Sequence, residues 1–236
     1  MAPRFGQVLP YIPCVSWPRS GHHLLTRLLR SSLGNRFKYC EFYGARNRLG
    51  SECCGIFPCR KPGVSMSKQH DLRLHEQLAL DHPVIVQYRD FEHSVASHYE
   101  LFIGKQAGLT DTRDEFVQFA KTKAADYAGF TAKWVHSDRP NRLTIEYDDL
   151  MADPVGYVVK IYGLYGLRAD LPLIEHVVAT VDHVTKRDGS TAITSRTGVK
   201  SLRNLEDFKW YDPDLFDELR AIANPARETA DQAAHS

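Results

Sequence analysis

Ser16-Trp17-Pro18-Arg19-Ser20-Gly21-His22-His23, followed by Leu24-Leu25-Thr26-Arg27-Leu28-Leu29-Arg30, is the stretch on which the fold turns. The apolar run Val8–Trp17 ends in a turn of small residues. That turn opens into leucines at helical spacing: Leu24, Leu25, Leu28 and Leu29. A strand, a tight turn and a helix in succession aim backbone N–H groups and the positive end of a helix dipole at one spot. Arg19 adds a fixed charge there. The stretch reads as an anion cradle, for phosphate. The competing reading is a tight left-handed turn that needs Gly21 for its backbone alone.

The 236 residues suffice for one α/β domain with a full core, expected over residues 1–223, with 224–236 as a polar, alanine-rich tail. An apolar fraction of 43% and a charged fraction of 25% fit an ordinary globular chain. With 30 basic and 29 acidic residues the net charge is +1, so no global field favours nucleic acid or a membrane surface. An anion site must then be built locally. No apolar stretch reaches the roughly 18 residues of a transmembrane helix, and the N-terminus does not read as a secretory signal. A cytoplasmic chain is expected. Four of the five cysteines, Cys40, Cys53, Cys54 and Cys59, fall close together, and Cys14 stands apart. A metal site, a disulfide and plain thiols are all open readings, although the adjacent Cys53-Cys54 does not match the CxxC spacing of a zinc knuckle.

Outward from the turn, helical spacing runs over 22–32 and stops at Gly34-Asn35. Residues 37–42 read as a short aromatic strand, 43–63 as a long loop and 64–68 as a strand. Residues 70–80 read as a helix carrying Leu72, Leu74 and Leu78. Val84-Ile85-Val86, within 83–88, is the clearest buried parallel strand. Asp90 is a natural N-cap for a helix over 91–103. A helix over 114–136, a strand over 142–147 and helices over 154–165, 171–182 and 212–223 complete the pattern. The segment 186–205 lacks any period. Strands alternating with helices give an α/β fold: a single domain with a mainly parallel central sheet flanked by helices. In such sheets ligands bind at the carboxyl ends of the strands.

Two further constellations lie at such ends, and a third lies in the aperiodic segment. Lys68-Gln69-His70-Asp71 sets a histidine two residues after a lysine, as suits a base beside developing negative charge. The bland alternative is one of eleven histidines with no special role. Arg89, with Ser94 and Ser97 on the next helix, would grip a second phosphate; otherwise Arg89 pairs locally with Asp90 or Glu92. Arg196-Thr197-Gly198, within a basic segment, would close over an anion or remain a solvated loop. The turn itself is not a Walker A loop, because no GxxxxGK[ST] is present.

In this order the motifs resemble the sulfotransferases that use 3′-phosphoadenosine 5′-phosphosulfate. Trp17-Pro18-Arg19-Ser20-Gly21 resembles their 5′-phosphosulfate loop, and Lys68-Gln69-His70 their KTH-like segment. Arg89 and Ser97 stand at the spacing of their 3′-phosphate pair. Tyr147-Asp148-Asp149-Leu150 and Asp153-Pro154 match a YEDL-x-x-DP element, and Arg196-Thr197-Gly198 is the nearest match to an RKG-like clamp. The resemblance implies a P-loop-NTPase-like sulfotransferase fold and sulfuryl transfer to an acceptor hydroxyl or amine, without a metal. It assigns His70 as base, Lys68 to the sulfonate, and Arg19 with Ser20, Gly21, His22 and His23 to the 5′-phosphate. Arg89, Ser97 and Arg196 fall to the 3′-phosphate, and Tyr147 to the adenine pocket. The product would be adenosine 3′,5′-bisphosphate, and the acceptor a small molecule, a carbohydrate or a lipid headgroup, with no nucleic acid as partner.

Three positions depart from the family pattern. His22 and His23 replace threonines, Leu24 replaces an adenine-stacking tryptophan, and Thr197 replaces a lysine. Trp17, Phe91 or packing alone would then hold adenine. A non-catalytic nucleotide- or sulfate-binding module and a kinase-like phosphotransferase are the rival functions. Retained Lys68 and His70 weigh against the first, and the absent Walker lysine against the second.

Overall fold

The three inner strands of this chain, Cys14–Ser16, Met66–Gln69 and Val84–Tyr88, are buried on both faces, apart from half-buried Tyr88. Alternate residues turn to opposite sides of the sheet. The computed structural model describes residues 8–42, 55–103, 110–181, 183–185, 191–193 and 204–225. Strands β1 (Cys14–Ser16), β2 (Tyr39–Cys40), β3 (Met66–Gln69), β4 (Val84–Tyr88) and β5 (Arg142–Glu146) form one sheet in the order β2-β3-β1-β4-β5. Every neighbouring pair is parallel, with Cys14 opposite Lys68 on one side and opposite Ile85 on the other. β1 is therefore the centre of the sheet.

Helices cover both faces. Cys14, Met66, Ile85 and Ile145 point into a core with α1 (His22–Leu33), α5 (Pro154–Leu164) and α6 (Leu171–Thr180). Val15, Val84 and Val86 point into a second core with α2 (Phe91–Ile103), α3 (Arg113–Phe130) and α7 (Pro213–Ala223). A short α4 (Tyr147–Ala152) links β5 to α5. β6 (His183–Thr185) and β7 (Thr191–Ile193) pair antiparallel as a separate ribbon. Among the described residues no helix is long and apolar enough to cross a membrane.

The structure revises the sequence reading at several places. Strand pairing expected over 8–17 is confined to 14–16, since Pro10 and Pro13 have no N–H to give. The helix expected over 70–80 is absent. Asp71 and Leu74 have φ of +44° and +54°. The carbonyls of Leu74 and Glu76 accept from Lys133 Nζ, and those of Leu78 and Ala79 from the Arg139 guanidinium. Acceptors that an isolated helix would satisfy internally are thus taken by residues about sixty positions away. Helix α3 does not run regularly to 136; a π turn, Thr131–Val135, closes it. Helix α4 falls where the sequence reading placed a connection, and β7 falls within a segment read as aperiodic. Residues 43–54, with Cys53 and Cys54, and residues 226–236 of the expected tail lie outside the described residues.

Candidate active site

The turn after β1 is held from the β4 side of the sheet. Trp17 N–H donates to the Gln87 carbonyl at 2.8 Å, Ser20 N–H to the Trp17 carbonyl at 3.3 Å, and Gln87 Nε2 to the Ser20 carbonyl at 2.8 Å. Arg19 and Gly21 have φ of +66° and +83°. Only glycine fits at 21 on two counts: its φ is left-handed, and a Cβ there would lie 2.6 Å from the Tyr147 ring. No side chain caps the N-terminus of the twelve-residue α1, so its first N–H groups face the turn without a side-chain partner.

Two guanidiniums converge on this turn. Arg19 Nε donates to Ser97 Oγ at 2.9 Å. Burial lowers the Arg19 pKa, Glu100 partly offsets this, and the charge of Arg89 lowers it further. Arg89 is 7% exposed and stacks on the Tyr147 ring at 4.4 Å. Its Nε lies 3.4 Å from Asp90 Oδ2 without hydrogen-bond geometry. Among the described residues, buried Arg89 Nε and Nη2, Ser16 Oγ, Ser20 Oγ, Gln87 Oε1 and Asp90 Oδ2 have no hydrogen-bond partner. Each such group costs about 1–3 kcal/mol if left unsatisfied, more when charged. A buried cluster of cation and hydroxyl donors fits an anion. The sequence reading paired Arg89 with Ser97; the structure joins Ser97 to Arg19 and sets Arg89 against Tyr147. Tyr147 itself is 6% exposed, wedged between Gly21 and Arg89.

His70 follows β3 and reaches across to β1, where its Nδ1 bonds the Ser16 carbonyl. A carbonyl only accepts, so the proton sits on Nδ1 and the lone pair on Nε2. Burial and the nearby Lys68 ammonium push the His70 pKa down to about 3, with the Ser16 bond opposing. Lys68 is itself buried, with its Nζ 3.1 Å from Glu41 Oε1. His23 is exposed beside these groups. Partial desolvation, then Lys68, lowers its pKa, while Glu41 raises it.

His22 does not belong to the anion loop. Its ring is 4% exposed and turned into the interior, with Nδ1 3.4 Å from Cys14 Sγ and Nε2 2.8 Å from Tyr39 Oη. Trp17 and Phe91 offer no face to an adenine either. Both lie in the second core, where Trp17 packs edge-on to Tyr127 at 5.1 Å and its Nε1 donates to Ser94 Oγ at 3.0 Å. Arg196, Thr197 and Gly198 lie outside the described residues. Among the described residues no group of three or more histidine, cysteine or acidic side chains is arranged to hold a metal.

The crystal structure of mouse sulfotransferase SULT7A1 complexed with PAP is similar to this chain with a TM-score of 0.60, covering 96% of this chain and 88% of that one. The fold is sulfotransferase-like. At 17% sequence identity the likeness is one of fold. A sulfotransferase domain from the curacin biosynthetic pathway matches over 71% of this chain and 77% of that one, with 12% identity and a TM-score of 0.43. No protein-family model and no curated protein sequence matches.

Within this sulfotransferase-like fold the sequence reading missed two groups. Glu41, partly buried, is the partner of Lys68. Asp71 is 2% exposed and accepts from Lys133 Nζ at 2.7 Å, Trp134 Nε1 at 2.9 Å and Glu76 N–H at 3.0 Å, which anchors the chain just after His70. Adjacency to His70 was the one sequence signal for Asp71. Glu41 has none, because it is brought to Lys68 by the parallel pairing of β2 with β3, Tyr39 opposite Met66 and Cys40 opposite Ser67.

Proposed function

We propose that the protein is a sulfotransferase using 3′-phosphoadenosine 5′-phosphosulfate, with residues 1–223 as its catalytic domain and His70 as general base. The observation that carries the reading is the His70 imidazole, proton on Nδ1 toward the Ser16 carbonyl, held at the end of the strand beside the Arg19–Gly21 turn. When bound, the donor supplies an activated sulfuryl group and a good leaving phosphate. The residues present fit it. Arg19, the Ser20 hydroxyl and the first N–H groups of α1 would hold the 5′-phosphate. Arg89 would hold the 3′-phosphate, chiefly through Nη2, which has no hydrogen-bond partner among the described residues. Ser97 sits between the two sites as the acceptor of Arg19. The mouse SULT7A1 structure is a complex with PAP, which supports such a ligand.

In this reading Nε2 of His70 takes the proton from the acceptor hydroxyl or amine. Lys68 keeps positive charge where the sulfonate and leaving oxygen gather negative charge. A base with a pKa of about 3 is weak at neutral pH; burial is the larger cause and the Lys68 ammonium the second, and a bound anion would offset the Lys68 part. In this reading a bound anion raises the His70 pKa by offsetting Lys68 and so strengthens the base. His23, exposed beside Lys68, would border the acceptor, whose class we leave at a small molecule, a carbohydrate or a lipid headgroup.

Transfer of radiolabelled sulfate from the donor to a panel of such acceptors tests the reading directly. His70→Ala should lower turnover by about 10²–10⁴-fold and leave adenosine 3′,5′-bisphosphate binding nearly intact. Wild-type turnover in that variant rejects His70 and turns attention to Glu41, the carboxylate beside Lys68.

A further inference from the structure

His22 is buried where the resemblance expects a phosphate-facing side chain, and its neighbours account for it. Cys14 Sγ is 3.4 Å from His22 Nδ1, His22 Nε2 is 2.8 Å from Tyr39 Oη, Tyr39 Oη is 2.8 Å from Glu41 Oε2, and Glu41 Oε1 is 3.1 Å from Lys68 Nζ. The proton positions follow from chemistry. A carboxylate only accepts, so Tyr39 donates its hydroxyl hydrogen to Glu41. Tyr39 Oη must then accept from His22, which puts the imidazole proton on Nε2 and the lone pair on Nδ1. The buried thiol of Cys14, kept protonated by burial, donates to that lone pair. Burial likewise keeps His22 neutral. Every donor points the same way, toward Glu41, and both oxygens of Glu41 are engaged. There is no empty proton position along the line, so it is a brace and not a wire.

We propose that His22, Tyr39 and Glu41 form a positioning relay that fixes the Lys68 ammonium at the carboxyl end of the sheet beside His70. The relay spans three elements. Cys14 lies on β1, His22 opens α1, and Tyr39 and Glu41 lie on and after β2, so the helix that begins at the anion turn is tied to the lysine on β3. Tyr39 is fixed on its other sides by Phe37, whose ring stacks at 6.4 Å, and by Arg30, 5.2 Å above its ring. The inference deepens the sulfotransferase reading, since Lys68 would act there on the sulfonate.

The first measurement needs no nucleotide and no assay of transfer. The rate at which an amine-reactive reagent modifies Lys68, read by mass spectrometry of the full chain, reports how firmly the ammonium is held. Tyr39→Phe removes one hydroxyl and keeps the ring. It should raise the Lys68 rate several-fold, leave the modification rates of distant lysines unchanged and shift the melting temperature little. Glu41→Gln, which keeps an oxygen for Tyr39 but loses the charge, should raise it further and serves if Tyr39→Phe folds poorly. A wild-type Lys68 rate in both variants overturns the proposal. If the rates rise and sulfate transfer is measurable, Tyr39→Phe should lower kcat about tenfold while the KM for the donor stays within about twofold; an unchanged kcat overturns the positioning role. Raised rates with no transfer to any acceptor would sink the sulfotransferase reading and leave the relay standing.

Discussion

Gly21 carries two constraints at once. Its φ of +83° and the 2.6 Å approach of a hypothetical Cβ to Tyr147 make Gly21→Ala costly, by about 2 kcal/mol or more. Urea denaturation should show that loss, and calorimetry should show bisphosphate affinity falling with it, because Tyr147 also supports Arg89. His70 and His22 set a pH dependence of a definite sign. Their folded pKa values lie below the ordinary 6.5, that of His70 at about 3. For His70 the unfolded chain therefore binds more protons between pH 6.5 and 3, and stability falls as pH drops through that window, by about 1.4 kcal/mol per pH unit; His22 acts in the same direction below pH 6.5. Above pH 6.5 the two contribute no slope. Urea midpoints at pH 7 and pH 5 should differ more in the wild type than in His22→Gln. Titrating His70 by NMR with adenosine 3′,5′-bisphosphate present should give a higher pKa than without it.

Between elements, the segment after His70 is tied down from a distance. Asp71 holds Lys133 and Trp134 from the turn that closes α3, and Gly129 leaves room for Leu74 against the same helix. Asp71→Ala strands the buried Trp134 indole N–H and takes the counter-charge from Lys133, which keeps the Leu74 and Glu76 carbonyls, at a cost of about 1–3 kcal/mol. It should also lower sulfate turnover more than bisphosphate affinity, a split that steady-state kinetics and calorimetry would resolve. This segment also marks how far the sequence could be read. Phe91–Ile103 came out with its observed bounds because its signals are local: an apolar face, and Asp90, whose carboxylate accepts from His93 N–H at 2.9 Å. Leu72, Leu74 and Leu78 have an equally helical look. The carbonyls of Leu74 and Leu78, however, accept from Lys133 and Arg139, which no local window contains. The site divides the same way. Arg19, Gly21, His70 and Arg89 stand at strand ends, which sequence pattern locates. The inward turn of His22 depends on Tyr39 and Cys14 from other strands, and was not legible.

At the scale of the molecule the site is a local concentration of positive charge on a chain of net charge +1. Two guanidiniums, the Lys68 ammonium and a helix terminus supply it. A doubly phosphorylated nucleotide should therefore stabilise the protein far more than a singly phosphorylated one. At a hundred times its Kd, adenosine 3′,5′-bisphosphate should add about 2.7 kcal/mol, seen as a rise in Tm that 5′-AMP, ATP and GTP do not reproduce at equal concentration. Arg89→Ala should remove most of the difference between the bisphosphate and 5′-AMP. Equal weakening of both would reject the 3′-phosphate role.

The central place of β1 sets the order in which the molecule can assemble. Cys14 pairs with Lys68 and Ile85, some fifty and seventy residues further along. A nascent chain emerging from the ribosome thus makes its middle strand first and must hold it unpaired until β3 and β4 follow. The anion turn, which hangs from β1 and leans on Gln87 and Tyr147, cannot take shape before β5 and α4 have been translated. Non-local parallel pairing of this kind is slow to form, and until then the apolar run from Val8 to Trp17 is exposed to wrong partners. A ligand that needs both Arg19 and Arg89 can act on folding only late, as a lock on the finished sheet.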